Sequence, residues 1–270
     1  MDDAQEKERG GDVNLDIIGL KQGYGNRTVL QGISFSIGSN EMVAVLGPNG
    51  SGKSTLIKTV CRIKQPLDGS IMLDGEDLLS IDRRRFSKTV GYVPQKYAPS
   101  DYMQVFDAVL IGRAPYMEWS YSDEDFEMAA KATEMMGIDD LIEKNIHDLS
   151  GGQIQKVIIA RAIAQDPKFY ILDEPTSALD LMNQMETMSS MRRIMAARGA
   201  GVLVALHDIN LAMRFTDRVI MLKDGAVYAS GKPEDVITEK SLSDVYGISS
   251  EIVEGRDGLY VHVCGGVRNV

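Results

Sequence analysis

Residues 47–55 read Gly47-Pro48-Asn49-Gly50-Ser51-Gly52-Lys53-Ser54-Thr55. They fill every fixed position of a G-x-x-x-x-G-K-[ST] phosphate loop, so the chain is expected to bind a nucleoside triphosphate. Glycines let successive backbone N–H groups turn inward onto phosphate oxygens. A helix that starts inside the loop adds its unpaired N–H groups and its dipole. Lys53 is placed to reach the β- and γ-phosphates, and the Ser54 hydroxyl to meet Mg²⁺. The motif needs a strand before it and a helix after it. Glu41–Leu46 is a short apolar run of β-formers, and Ser54–Val60 carries apolar residues at helical spacing.

Two further stations carry chemistry. Phe169-Tyr170-Ile171-Leu172 runs straight into Asp173-Glu174. That puts two acids at the C-terminal end of a buried strand, the edge where open α/β sheets bind ligands. Asp173 is placed to help hold Mg²⁺, directly or through water. Glu174, next in the chain, cannot point the same way, and is placed to orient the attacking water or accept its proton. Leu149-Ser150-Gly151-Gly152-Gln153 precedes an apolar helix expected over Ile154–Ala164. Ser150 is a good N-cap, and the helix start is a second anion-binding surface.

The elements that must position these groups read as an α/β protein. Residues 13–38 have period-two stretches and turn glycines, which predict an antiparallel sheet. Val90–Pro94 reads as a strand. Phe169–Leu172 and Val202–Leu206 are continuous apolar runs, as in strands buried on both faces of a parallel sheet. Val219–Gly231 reads as two strands about Asp224-Gly225. Residues 101–147 read as helical; Met103, Met117, Met128, Met135 and Met136 there fit core filling or a soft partner surface. After Pro233 a helical stretch and a short mixed tail with Arg256-Asp257-Gly258 are expected. Residues 1–12 read as a disordered polar tail with no secretion signal. No apolar run approaches the ~20 residues of a membrane helix. The net charge of −10 leans against nucleic acid as a partner. The two cysteines, Cys61 and Cys264, are far apart and fit a reduced intracellular protein.

Taken in order, Gly47–Thr55, Gln95, Leu149–Gln153, Phe169–Glu174, Ser177–Asp180 and His207 resemble the nucleotide-binding subunit of ATP-binding cassette (ABC) transporters, over residues 13–230. The resemblance implies a P-loop NTPase, RecA-like parallel-sheet core with an N-terminal antiparallel β subdomain and a helical insertion subdomain at about 96–148. It makes 13–270 one ATPase domain, with a C-terminal extension from about 232. It implies ATP and Mg²⁺ as cofactors, and a homodimer in which each ATP lies between the phosphate loop of one chain and the Ser150–Gln153 turn of the other. Tyr24 matches the aromatic that stacks on adenine. Gln95 matches the glutamine that contacts Mg²⁺ and the water and relays to the membrane partner. Asp180 matches the residue that ties the two sites together, and His207 the histidine that contacts the γ-phosphate.

The strings Met103–Tyr116, Leu179–Gln184, Leu206–Ala212 and Gly231–Glu239 look like those of ATPases serving iron–siderophore, haem and cobalamin importers. That likeness implies a polytopic permease, an indirect link to a substrate-binding protein, and a place on the cytoplasmic face of the cell membrane. An ATPase of another import system or a soluble, non-transport ABC ATPase is the competing reading. DNA-repair members carry a very long coiled coil between loop and signature, and this chain has no heptad run there.

Overall fold

The computed structural model describes residues 13–25, 27–97 and 103–266. The tail over 1–12 and residues 98–102 of the helical insertion lie outside them. The first half of the chain contains β1 (Asn14–Tyr24), β2 (Arg27–Gly38), β3 (Met42–Leu46), α1 (Lys53–Val60), β4 (Asp68–Leu73), β5 (Glu76–Asp77), α2 (Arg83–Thr89) and β6 (Val90–Val93). A helical lobe follows with α3 (Val105–Leu110) and α4 (Asp123–Met136), leading to α5 (Gly151–Gln165). The rest comprises β7 (Phe169–Asp173), α6 (Leu181–Arg198), β8 (Gly201–Ala205), α7 (Ile209–Phe215), β9 (Arg218–Lys223), β10 (Ala226–Gly231), α8 (Pro233–Val236), α9 (Glu239–Tyr246), β11 (Ile248–Gly255) and β12 (Gly258–Gly266).

The central sheet has the order β10-β9-β3-β8-β7-β6, parallel except for the edge strand β10. Its strands alternate between two cores. Val43, Val45, Phe169, Ile171, Leu203, Ala205, Ile220 and Leu222 face the antiparallel sheet β2-β1-β4-β5 and α1. Met42, Ala44, Leu46, Tyr170, Leu172, Val202 and Val204 face α5, α6 and α7. Both faces are covered, which is why these strands read as unbroken apolar runs. Full burial stabilises each such side chain by about 1.5–3 kcal/mol, and the sheet edge that carries the acids is anchored accordingly. Asp224 (φ 49°) and Gly225 (φ 80°) both lie left-handed and make the predicted tight turn between β9 and β10.

The helical lobe is less regular than the sequence suggests. Continuous helix breaks after Leu110, and only α4, capped by a Ser122/Asp125 capping box, runs long. Ile111–Arg113 tightens into a single 3-10 turn, and Ala114 keeps helical angles ahead of Pro115. Gly112 packs directly on the Arg161 carbonyl of α5, where a Cβ would not fit. Arg113 forms a buried ion pair with Asp125 at 2.8 Å and donates to the Ala164 carbonyl at 3.0 Å. The Gly112-Arg113 string that marked the subfamily is thus the joint between α3, α4 and α5. The expected methionine filling holds for Met136, which is buried, while Met117 is exposed. Helix α5 starts at Gly151, three residues before the predicted Ile154. The mixed tail after α9 is an antiparallel hairpin, β11–β12, with one register shift between Ser249 and Ser250.

Candidate active site

Strand β3 ends at Leu46 and the loop turns into α1 at Lys53. Gly47, Gly50 and Gly52 hold φ of 150°, 83° and 109°. Only glycine takes such a sequence of turns without strain. The Lys53 ammonium is almost fully buried and folds back over the loop, donating to the Gly47 and Pro48 carbonyls at 2.7 and 3.3 Å. Burial pushes its pKa below the ordinary lysine value, against the opposing pull of Glu174 and Asp173. The loop thus holds a cation ready for phosphate.

Ser54 Oγ donates to Asp173 Oδ1 at 2.9 Å. Asp173 is 1% exposed, and burial raises its carboxyl pKa. A hydroxyl beside a buried, poorly compensated carboxylate fits a Mg²⁺ ion. That ion is bound through few carboxylates and leaves much of its shell to phosphates and water. Among the described residues no group of three acids, histidines or cysteines offers an all-protein metal cage.

Glu174 leaves the strand with φ 52°, a left-handed conformation that is uncommon for a non-glycine residue. Its N–H donates to the Ala205 carbonyl at 3.2 Å, which fixes the turn. The side chain swings away from Asp173. One carboxylate oxygen accepts from Gln95 Nε2 and the other lies 2.5 Å from His207 Nε2. Gln95 follows β6 and His207 follows β8, so three adjacent strand ends supply the three groups. A cost of roughly 1–3 kcal/mol for such a backbone is usual where geometry serves a site.

Lys53, Ser54, Gln95, Glu174 and His207 share a cleft of about 560 Å³ with Tyr24, Arg27, Val29, Asn49, Gly50, Gly52 and Thr55, while Gly47, Pro48, Ser51 and Asp173 are not among the residues that line it. The Tyr24 ring is half exposed, with the Lys64 ammonium 3.3 Å from its centroid. A hydrogen bond with Thr55, then the Lys64 and Lys58 charges, hold its hydroxyl pKa below the ordinary value against the effect of burial. Lys64 is not among the residues that line the cleft. Arg27, Val29 and Lys64 were not picked out from the sequence. Arg27 stands three residues after Tyr24, and that shared turn was the available signal.

Ser150, Gly151, Gly152, Gln153 and Asp180 do not line this cleft. Ser150 and Gln153 cap α5 reciprocally, Ser150 N–H donating to Gln153 Oε1 at 3.0 Å and Gln153 N–H to Ser150 Oγ at 3.3 Å. Asp180 caps α6, accepting from the Asn183 N–H at 2.9 Å, and that bond depresses its pKa. Gly152 faces the Leu179 side chain, so the two outlying segments adjoin each other.

A phosphate loop between a parallel strand and a helix, with a strand-end Asp-Glu pair and a neighbouring histidine, defines a P-loop nucleoside triphosphatase. Within that class the chain belongs to the ABC transporter family, which matches residues 30–177. An uncharacterised ABC transporter ATP-binding protein of Methanocaldococcus jannaschii is 43% identical over 88% of this chain and 93% of its own length. The petrobactin import ATP-binding protein of Bacillus anthracis is 33% identical over 86% of each chain. A solved metal-chelate type ABC transporter in an inward-facing conformation has a TM-score of 0.80 and 27% identity, over 94% of this chain and 97% of that one. A dimeric bacterial ABC transporter cassette has a TM-score of 0.73 and 28% identity, over 81% and 98%. The chain is an ABC ATPase, and no helix among the described residues is long and apolar enough to cross a membrane.

Proposed function

We propose that this ATPase powers import of a metal chelate (iron–siderophore, haem or cobalamin) through a polytopic transmembrane partner. It works as a pair of identical chains on the cytoplasmic face of the membrane, and the partner receives its chelate from a substrate-binding protein. The hydrolytic part rests on one observation, the Glu174 carboxylate held between Gln95 and His207 within a cleft that also contains Lys53. The chelate class rests on the relatives, one of which imports petrobactin and one of which is of the metal-chelate type.

In this reading Tyr24 stacks on adenine and the loop N–H groups with Lys53 bind the phosphates. Ser54, Asp173 and Gln95 would hold Mg²⁺, directly or through water, and the ion would supply charge neutralisation on the phosphates. Glu174 accepts the proton of a water whose oxygen attacks the γ-phosphorus, while the bond to the β-phosphate oxygen breaks and ADP leaves. His207 and Gln95 fix that carboxylate and sense the γ-phosphate. The Ser150–Gln153 turn, exposed and outside its own cleft, serves the partner's nucleotide, with Asp180 beside it. The helical lobe meets the permease. Trp119, 97% exposed in the loop before α4, supports that assignment, because tryptophan commonly anchors interfaces.

The test is to purify the tagged chain from detergent-solubilised membranes with its polytopic partner and reconstitute the complex in vesicles. Uptake of radiolabelled ferric siderophore, haem or cobalamin that requires ATP supports the proposal. A complex that ignores all three and moves another nutrient overturns the chelate assignment.

A further inference from the structure

The hairpin β11–β12 contributes nothing to the nucleotide cleft, yet it is bonded to the segment that carries His207. Helix α7 begins two residues after that histidine. Asn210, in its first turn, binds both backbone groups of Val261 in β12. Its Oδ1 accepts from the Val261 N–H at 2.7 Å, and its Nδ2 donates to the Val261 carbonyl at 3.2 Å. The amide thus takes the place of a neighbouring strand on the free edge of the hairpin. Val261 itself is buried in the core that includes Leu211 and Phe215 of α7.

The other side of Asn210 leads to the catalytic groups. Its backbone N–H donates to Asp208 Oδ1 at 2.8 Å, and the same oxygen accepts from the Leu211 N–H at 3.1 Å. Asp208 therefore caps α7 directly beside His207, whose Nε2 meets Glu174. A nearby exposed pair, Arg214 with Asp257 at 3.6 Å, adds little, because exposed ion pairs contribute about 0–1 kcal/mol. The hairpin turn also faces the first turn of α6 across a cleft of about 450 Å³ lined by Leu181, Met185, Leu211 and Tyr260 among others. It packs on α7, the segment that follows His207, and faces the segment that follows Asp180.

We propose that Asn210 is a positioning residue for hydrolysis. By clipping α7 to the C-terminal hairpin it fixes where His207 stands against Glu174, and so governs turnover rather than ATP binding. This rests on the assignment of His207 and Glu174 to the hydrolytic step.

The test is a double-mutant cycle on the full chain, with turnover and ATP affinity measured separately. Asn210→Ala lowers kcat about tenfold, within the hundredfold that a 1 Å misplacement costs, and leaves ATP affinity and the melting profile close to wild type. Asn210→Asp keeps the acceptor for the Val261 N–H and restores part of the lost turnover. In a His207→Ala background Asn210→Ala costs nothing further, since both changes act through one group. Equal losses in both backgrounds, or unchanged kcat in Asn210→Ala, overturn the proposal. His207→Ala with normal turnover overturns the assignment of His207 on its own, whatever Asn210→Ala does.

Discussion

His207 Nε2 stands 2.5 Å from Glu174 Oε1, although the two residues come from the ends of different strands. The contact exists because Glu174 turns left-handed off β7 while Asp173 stays in the strand with Ser54. Glu174→Gln keeps the size of the side chain and one of its two acceptor oxygens and removes its basicity. Turnover is expected to fall by about 10²–10⁴-fold, the usual share of a general base. ATP binding is expected to persist, and sizing in the presence of ATP should show a dimer. A variant that turns over normally removes Glu174 from the role of base.

Ser150 is the counterpart case, a residue assigned to nucleotide that does not touch the cleft of its own chain. Ser150→Arg loses the α5 cap, at a cost of about 1 kcal/mol, and fills the exposed turn with a long cation. ATP binding to the isolated chain, read by nucleotide fluorescence, should be unchanged while hydrolysis is lost. If binding to the isolated chain is lost with it, the turn belongs to the same chain's site and the head-to-tail arrangement fails.

If Tyr24 stacks on adenine as proposed, changes at Tyr24 and Lys64 act on the base and spare the phosphates. The ammonium lies 3.3 Å from the ring centroid and is not among the residues that line the cleft. Such a pair contributes about 0.5–2 kcal/mol. Lys64→Met and Tyr24→Ala should therefore weaken ATP several-fold or more and leave inorganic triphosphate affinity untouched. Competition binding with the two ligands checks this. Equal weakening of both would place Lys64 on the phosphates instead.

What could be read in advance depended on how local the determining physics is. The phosphate loop is legible because left-handed glycines, a lysine and a hydroxyl have to follow one another in the chain. Strands β7 and β8 are legible because cover on both faces leaves an unbroken apolar run. The β11–β12 hairpin is hidden for the opposite reason. Among its described residues only Ser250 and Val261 are buried, so neither strand shows a clear alternation. Its side-chain clip to α7 comes from Asn210, fifty-one residues before Val261. The helical lobe departs from continuous helix because Gly112 packs on the Arg161 carbonyl of α5 and tightens the chain into a short turn, although its methionines and alanines favour helix. The roles of Ser150 and Asp180 in a dimer come from family resemblance, since within one chain both residues simply cap helices.

The buried Arg113–Asp125 pair gives the helical lobe a predictable response to acid. Burial acts to raise the Asp125 pKa. The Ser122 N–H, the Arg113 guanidinium and the Ser122 hydroxyl together outweigh it and hold the carboxyl below its ordinary value. A carboxylate depressed in the folded state contributes stability that is present above its unfolded pKa of about 3.9 and is lost as pH falls through the lower folded value. Asp125→Asn leaves Arg113 charged, buried and without its carboxylate, which costs about 3–5 kcal/mol at neutral pH. Melting curves of wild type and variant should thus be far apart at pH 7 and converge as the pH drops below the ordinary carboxylate range. ATP affinity should be preserved in the variant, because neither residue lines the nucleotide cleft. A gap that stays constant down to acid pH would show that Asp125 acts through the α4 cap and packing, with no contribution from its charge.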